Sequence, residues 1–267
     1  MPDTETATGT TILITGGAAR VGAHLSAALA REGWHVCIHY FRSADKAQSL
    51  ADDITAAGGQ ASIVKANLAV PQELNTLIAR ASEAVGAPIT ALINNASTFK
   101  ADSADNFTNA MMDYHMGVNL RAPLRLSQDF AAQLPAAKLL GAHKGAIINM
   151  IDQRVLKPNP LFFTYSLSKA ALYWATKTLA QSLAPHIRVN GVGPGPTLQN
   201  TGQSAEDFEA EAANTLLGHS SPPEAMIEAV SYLLGAQSVT GQMLAVDSGQ
   251  HLTWRTPDLD FGGHNGA

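Results

Sequence analysis

The sequence predicts an α/β fold: one doubly wound, seven-stranded parallel sheet with helices on both of its faces. Strand-like and helix-like segments alternate along the chain with a period of about thirty residues, as expected for successive βα units. Short uninterrupted apolar runs such as Leu92-Ile93 and Ile147-Ile148 indicate strands buried on both sides, which is typical of a parallel sheet. Because no change of composition divides this alternation, we expect a single domain over residues 10–250, after a flexible N-terminus of residues 1–9.

The first half of the chain contains four predicted strands and the three helices between them. A β-branched run predicts the first strand at residues 10–15. The next three strands are predicted at residues 35–40, 62–66 and 91–94. The helices are predicted at residues 21–32, 44–57 and 71–85, and the last of them begins with Pro71, a residue favoured at the first helical position.

The second half of the chain continues the pattern with three more strands. They are predicted at residues 146–151, 188–192 and 242–246. A long helix is predicted at about residues 109–133, another at residues 165–183, and a third, opened by a pair of prolines, at residues 222–234. The segment of about residues 194–220 follows the carboxyl end of a strand, so we expect it to fold over a ligand site and to govern substrate choice.

Composition favours a small-molecule protein of the cytosol. The net charge of -5 and the pI near 6.0 provide no basic surface for nucleic acid. The single cysteine, Cys37, excludes an internal disulfide framework, and we expect it to be a buried apolar thiol. Residues 1–9 lack the features of a signal peptide, and no apolar run approaches the length of about 20 residues that spans a bilayer.

A glycine-rich turn joins the first strand to the first helix. It reads Thr-Gly-Gly-Ala-Ala-Arg-Val-Gly over residues 15–22. Gly16 permits a tight turn, and Gly22 lets helix and strand approach closely. The following helix, which begins at Val21 directly after Arg20, offers its N-terminus to a pyrophosphate, as in a Rossmann-type dinucleotide site. A purely structural turn is the alternative.

The end of the second strand favours NADPH over NADH. An NAD-binding protein is expected to place an acidic residue there, whereas this chain has Tyr40, Arg42 and Ser43 nearby, which suit a 2′-phosphate. The alternative is a solvated arginine that caps the next helix together with Ser43. His35 and His39 lie about 13 Å apart at roughly 3.3 Å per residue, too far to share an ion, and we predict no metal site.

Three residues form the candidate catalytic group. Tyr165 and Lys169 lie one helical turn apart, and Asp152 stands at the carboxyl end of the preceding strand, where ligands bind in such sheets. A lysine beside the tyrosine is expected to favour the phenolate and to make Tyr165 an effective proton donor or acceptor. An ionised Asp152 would repel the alkoxide formed from a ketone, so a plain ketone is not the expected substrate.

In order along the chain, these motifs resemble those of the classical short-chain dehydrogenase/reductase family over about residues 10–250. Further matching segments are Asn94-Asn95-Ala96, Asn119, Arg188-Val189-Asn190 and Pro194-Gly195. The resemblance implies a proton relay of Asn119, Tyr165 and Lys169, with Lys169 also holding the nicotinamide ribose. It further implies cofactor contacts from Asn67, Leu68, Asn95, Ala96, Ser97, Pro194 and Gly195. Asn67 departs from the aspartate that the family commonly places against adenine.

Other features resemble the pteridine reductase branch, which includes the bacterial dihydromonapterin reductases. They are Arg20 in the turn, the segment 39–43, the Asn-Asn-Ala-Ser-Thr-Phe run over residues 94–99, Asp152, and the run over residues 190–195. The likeness implies a pterin site formed by Arg20, Ser97, Phe99, Asp152 and Tyr165, with hydride added to a C=N bond.

Three of these pterin contacts have a simpler alternative. Phe99 packs within its loop, Arg20 only neutralises phosphate, or Asp152 caps the following turn. Two other functions stay open, a carbonyl reductase of a 3-oxoacyl thioester and a catalytically silent NADPH-binding sensor. Family likeness also implies a homotetramer, in which the tail of residues 251–267 either reaches a neighbouring subunit or is disordered.

Overall fold

The computed structural model describes residues 10–137, 145–200 and 202–254. Seven parallel strands form one sheet in the order β3-β2-β1-β4-β5-β6-β7. The strands are β1 (Thr11–Ile14), β2 (His35–Tyr40), β3 (Gln60–Lys65), β4 (Ala91–Asn94), β5 (Gly145–Met150), β6 (Ile187–Pro194) and β7 (Met243–Val246). The predicted fold class is confirmed. The strand order reverses between β1 and β4, and such a reversal opens a crevice at the carboxyl ends of the strands.

Nine α-helices connect these strands within the described residues. They are α1 (Arg20–Arg31), α2 (Ala44–Ala56), α3 (Pro71–Leu74), α4 (Leu77–Val85), α5 (Asn109–Met116), α6 (Ala122–Ala137), α7 (Phe163–Leu183), α8 (Ala205–Ala213) and α9 (Pro223–Gly235). A π-helical turn, Gly117–Arg121, joins α5 to α6, and short 3₁₀ turns occur at Gln153–Val155 and Gln250–Leu252.

The core consists of two apolar clusters, one on each face of the sheet. Alternating residues of β1 separate into them, since Ile12 and Ile14 belong to one cluster and Leu13 to the other. The first cluster packs against α1, α2 and α9, and the second against α4 and α6. Both faces of the central strands are therefore buried, as the continuous apolar runs predicted. Cys37 is fully buried in the second cluster, and burial raises its pKa to about 12.

Three predicted elements differ from the structure. The helix predicted at residues 71–85 breaks into α3 and α4, and the helix predicted at residues 109–133 is interrupted by the π-helical turn and ends at Ala137. The segment of residues 194–220 contains α8, for which no helix was predicted. Its start had a recognisable signal: Ser204 caps the helix by accepting from the Asp207 amide at 3.0 Å, and Glu206 and Asp207 occupy the first turn.

Among the residues described here, no helix has both the length and the apolar character needed to cross a bilayer. The predictions for residues 1–9 and for residues 255–267 lie outside the described part of the chain.

Candidate active site

A cleft of about 400 Å³ opens at the carboxyl ends of the strands. Its walls come from the loops after β1, β4, β5 and β6 and from α7 and α8. The sequence-predicted residues among its lining are Gly16, Arg20, Val21, Gly22, Asn95, Ala96, Ser97, Phe99, Asp152, Tyr165, Lys169, Pro194 and Gly195. The structure thus brings together most of the predicted cofactor and substrate residues. Asn67, Leu68 and Asn119 are not in the lining.

The glycine-rich turn has the close packing that its sequence predicted. Gly16 lies at a φ of +64°, and a Cβ added to Gly22 would lie 2.2 Å from the carbonyl oxygen of Gly16. Asn95 holds the turn from β4, since its side-chain amide donates to the carbonyls of Thr15 at 2.9 Å and Gly16 at 3.2 Å. The N-terminus of α1 follows directly, so its unpaired N–H groups face the site.

His39, near the end of β2, stabilises this turn through two hydrogen bonds. The amide of Gly16 donates to its Nδ1 at 3.0 Å, and the amide of Gly17 donates to its backbone oxygen at 3.0 Å. Nδ1 accepts a hydrogen bond, so the ring proton is on Nε2, which donates to the carbonyl of Ala66 at 3.1 Å. Burial lowers the pKa of His39 to about 4, which keeps the ring neutral. The spacing of His35 and His39 spoke against a shared metal ion, but nothing in the sequence indicated this role for His39.

A second cavity of about 240 Å³ lies on the other side of Gly16 and Ala19. It is lined by Tyr40, Arg42 and Ser43 together with residues of the turn. The exposed guanidinium of Arg42 and the Ser43 hydroxyl are donors of the kind that a 2′-phosphate requires. The cleft and this cavity together therefore fit a phosphorylated dinucleotide that lies across the glycine-rich turn.

The predicted adenine contact from Asn67 is not prearranged. Its side-chain Oδ1 accepts from the backbone amide of Ala69 at 3.1 Å, and its backbone amide donates to Glu73 Oε2 at 2.7 Å. Leu68 is buried in the core cluster that packs against α4. In this structure, the contacts of both residues therefore stabilise the loop before α3.

Tyr165 and Asp152 are joined by a short hydrogen bond. The phenol hydroxyl of Tyr165 donates to Asp152 Oδ2 at 2.6 Å, and both side chains are buried. Lys169 is also buried, and its ammonium donates to the carbonyl of Met150 at 2.8 Å. Burial lowers the pKa of Lys169 to about 8, against the opposing attraction of Asp152. Among the described residues, no direct hydrogen bond links Lys169 to Tyr165.

The expectation that Tyr165 favours its phenolate form was wrong for this structure. Burial raises the pKa of Tyr165 well above 10, and the charge and hydrogen bond of Asp152 raise it further. Only Arg154 acts in the other direction. Tyr165 is therefore a neutral phenol whose hydroxyl proton lies in the hydrogen bond to Asp152.

Arg154 is a site residue that the sequence analysis missed. Its Nη1 lies 3.1 Å from Asp152 Oδ2, and its backbone amide donates to Asp152 Oδ1 at 2.8 Å. Asp152 thus caps the 3₁₀ turn, as its simpler alternative predicted, while it also accepts from Tyr165. The guanidinium lies 5.5 Å from the ring centroid of Phe99. Arginine two residues after an aspartate has no pattern of its own, so nothing in the sequence indicated this pair.

Phe99 forms part of the cleft wall, but one of its faces is already covered. Its ring stacks on Phe162 with centroids 4.2 Å apart and contacts Tyr165 edge-on at 4.7 Å. Phe162 has a φ of +56° and immediately precedes α7. A planar ligand can therefore stack only on the face of Phe99 opposite Phe162.

Asn119 is fully buried within the π-helical turn. Its Oδ1 accepts from the amide of Thr98 at 2.8 Å and from the Ser97 hydroxyl at 3.2 Å, and its Nδ2 donates to Ser168 Oγ at 3.1 Å. The side-chain hydrogen bonds of Asn119 thus connect the Ser97–Thr98 segment to α7. Within the described chain it has no direct hydrogen bond to Tyr165 or Lys169.

The side chain of Arg20 connects the glycine-rich turn to the segment that follows β6. It adopts a left-handed φ of +52°, which is uncommon for a residue other than glycine. Its guanidinium donates to the carbonyls of Gln199 at 2.9 Å and Leu198 at 3.1 Å. Its predicted contacts, a cofactor phosphate and a pterin, would compete with these bonds.

A family model described as short chain dehydrogenase matches residues 10–211. The chain belongs to the short-chain dehydrogenase family. It is 27% identical over 245 residues to the 3-oxoacyl-[acyl-carrier-protein] reductase FabG of Staphylococcus epidermidis, which covers 90% of this chain and 98% of that protein. The family resemblance predicted from the motifs is thereby confirmed, and the protein is an oxidoreductase.

Two solved structures are similar over nearly the whole chain. FolM alternative dihydrofolate reductase 1 of Brucella canis is 42% identical with a TM-score of 0.86, covering 94% of this chain and 97% of that one. The Brucella suis protein of the same name is 42% identical with a TM-score of 0.88, covering 93% and 98%. Both were crystallised with NADP, the dinucleotide that the end of β2 predicted.

Proposed function

We propose that this short-chain dehydrogenase is an NADPH-dependent reductase of a C=N bond in a dihydropterin, of the pteridine or dihydromonapterin reductase type. The observation that carries the proposal is the Tyr165–Asp152 hydrogen bond of 2.6 Å beside the aromatic wall of Phe99. A carboxylate accepts hydrogen bonds from the N–H groups of a pterin, and the face of Phe99 that Phe162 does not cover suits a flat ring.

NADPH would be held by the glycine-rich turn, the N-terminus of α1, and Arg42 with Ser43. Lys169 would hold the nicotinamide ribose, as the family resemblance implies. When bound, the cofactor supplies the hydride that the carbon of the C=N bond accepts. The closed packing around Gly16 and Gly22 and the donors at the end of β2 support this placement.

The remaining chemistry is delivery of one proton to the nitrogen, so that C=N becomes CH–NH. Tyr165 is a neutral phenol, since burial and Asp152 raise its pKa, and we assign the delivery of the proton to it. The phenolate left behind is stabilised by Lys169, 5.8 Å from the ring centroid, and by Arg154. Asp152 orients the hydroxyl and then exchanges protons with solvent to restore the phenol.

Both Brucella proteins carry a dihydrofolate reductase name at 42% identity, which supports a pterin ring as the substrate. Reduction of a 3-oxoacyl thioester is the second candidate, favoured by the 27% identity to FabG. The carboxylate of Asp152 counts against it, because a negative charge opposes the alkoxide that a ketone forms.

The test is NADPH oxidation measured side by side on dihydromonapterin, dihydrobiopterin and an acetoacetyl thioester. We expect turnover of the pterins, and turnover of the thioester alone would refute the proposal. Asp152→Ser should lower kcat/KM on the pterins by about 10²-fold or more, whereas Asp53→Ser on the exposed face of α2 should not change it. Undiminished pterin turnover by Asp152→Ser would remove Asp152 from the mechanism.

We also propose that the protein is a cytoplasmic homotetramer. An apolar groove of about 550 Å³ lies between α6 and α7, lined by Met116, Leu120, Leu124, Leu179 and Leu183 among others. These five side chains are half-buried, and an apolar groove of this kind is suited to association with a second copy. Light scattering on the purified protein gives the subunit number directly.

A further inference from the structure

A third cavity of about 310 Å³ adjoins the catalytic cleft, and we call it the side pocket. Its lining is polar, with the exception of one proline: Gln153, Arg154, Lys157, Pro158, Asn159, Glu211, Asn214, Gln250 and Thr253. Arg154, Glu211 and Gln250 line both the side pocket and the cleft, so they form the wall between the two. No step of the proton delivery described above uses this space.

Glu211 is the acceptor in that wall. It lies on α8, and its Oε1 accepts from the side-chain amide of Gln250 at 3.1 Å, while its Oε2 accepts from that of Gln203 at 3.0 Å. No lysine, arginine or histidine forms an ion pair with it among the residues that the structure describes. Two neutral amides thus orient the carboxylate without neutralising its charge.

Two cations also line the side pocket. Arg154 is paired with Asp152 at 3.1 Å. Lys157 is exposed and donates to the neutral carbonyl of Thr253 at 2.9 Å, so this bond leaves its charge in place. Glu211 lines both the cleft and the side pocket, whereas Lys157 lines only the side pocket, so a group that passes from the cleft into the side pocket meets the carboxylate of Glu211 first. Hydroxyl groups satisfy such an acceptor because they can donate to it, whereas a carboxylate cannot donate and is repelled.

We propose that the side pocket receives the substituent of the pterin ring and that Glu211 selects an uncharged, hydroxylated chain. The inference rests on the proposed function, since it places the ring between Phe99 and the nicotinamide. Glu211 is then a specificity-determining residue, and α8 is the element that brings it to the site.

The experiment compares three substrates that share the dihydropterin ring: dihydromonapterin, whose chain carries hydroxyls; 6-methyl-dihydropterin, which has none; and dihydrofolate, whose chain ends in carboxylates. We expect Glu211→Gln to lower kcat/KM on dihydromonapterin by about tenfold, since a charged acceptor is lost, and to leave 6-methyl-dihydropterin within about twofold. Glu211→Lys should raise the ratio of dihydrofolate to dihydromonapterin turnover. Glu209→Gln, on the exposed face of the same helix, is the matched control.

Equal losses on dihydromonapterin and 6-methyl-dihydropterin in Glu211→Gln would overturn the assignment, as would wild-type ratios in both Glu211 variants. Failure of the proposed function has a different signature, because then the wild-type protein reduces none of the three pterins, including the one without a chain. Circular dichroism and the KM for NADPH, measured on each variant, identify a loss that arises from misfolding.

Discussion

Two donors from Arg154 and one from Tyr165 converge on the carboxylate of Asp152. Burying a carboxylate is costly unless such donors and a cation accompany it, and here all of them come from within thirteen residues of sequence. The position of Asp152 relative to Tyr165 was readable from the chain. Its partner Arg154 was not, because the pairing depends on the 3₁₀ turn that Asp152 itself caps.

Replacing Arg154 with glutamine tests the electrostatic part of this cluster. Arg154 is the group that lowers the pKa of Tyr165, so its loss should raise that pKa further and hinder proton release. We expect Arg154→Gln to reduce kcat by roughly ten- to a hundredfold in steady-state assays on a dihydropterin, with the KM for NADPH little changed. Arg31→Gln, in the last turn of α1, is the control, and equal kcat in both variants would contradict the prediction.

Arg42 permits a separate test of cofactor choice. Its guanidinium borders the cavity beside the glycine-rich turn, where a 2′-phosphate would lie. Arg42→Ala should raise the KM for NADPH by about tenfold and change the KM for NADH by less than about twofold, because NADH has no 2′-phosphate. A parallel rise in both constants would indicate that Arg42 acts on the fold of the loop instead.

At the scale of elements, a buried polar network fixes the start of α7 and thereby Tyr165. Asp102, from the loop after β4, accepts from the amide of Thr164 at 3.0 Å and from the Thr164 hydroxyl. His115 of α5 donates from Nδ1 to the same hydroxyl at 2.7 Å, since its Nε2 accepts from the amide of Lys100 at 3.3 Å. The network joins the loop that carries Phe99 to the helix that carries Tyr165.

Thr164→Val removes the central hydroxyl of this network at nearly constant volume. Buried groups of Asp102 and His115 then lose their partner, so the free energy of unfolding should fall by about 1–3 kcal/mol. We also expect kcat to fall more than the KM for NADPH changes. Urea denaturation and steady-state kinetics measure both effects, with Thr178→Val, at an exposed position of the same helix, as the control. Unchanged kcat in Thr164→Val would limit the network to a structural role.

Elements that obey a single local pattern were predictable, and those that depend on contacts were not. The strands and most helices were predicted from apolar runs, from prolines and from the regular alternation of strand-like and helix-like segments. The π-helical turn does not, since it exists where Asn119 reaches both Thr98 and Ser168, residues remote in sequence. Helix α8 did have a local signal, the Ser204 cap, although no helix was predicted there.

For the whole molecule, His39 makes stability depend on pH. Its pKa is about 4 when folded against the ordinary 6.5, so the unfolded chain binds the proton more readily. The stabilisation that the neutral ring of His39 gives the folded protein is complete above pH 6.5 and is lost as the pH falls from 6.5 towards 4. Its full size is roughly 3 kcal/mol, since each pKa unit corresponds to about 1.4 kcal/mol.

Urea denaturation at pH 7 and pH 5 measures this effect on the molecule. We expect the wild-type protein to lose more unfolding free energy between these values than His39→Gln does, because glutamine does not titrate. His24→Gln, at an exposed position of α1, should behave as the wild type. Identical pH dependence in wild type and His39→Gln would show that other groups account for it.

The bonds between Arg20 and the carbonyls of Leu198 and Gln199 have a kinetic consequence. They connect the segment after β6 to the turn on which the dinucleotide is expected to bind. A phosphate or a pterin that binds the guanidinium of Arg20 would replace these carbonyls. We therefore expect the rate constants for association and release, and not only the affinity, to depend on this one arginine, which lies at a left-handed backbone position.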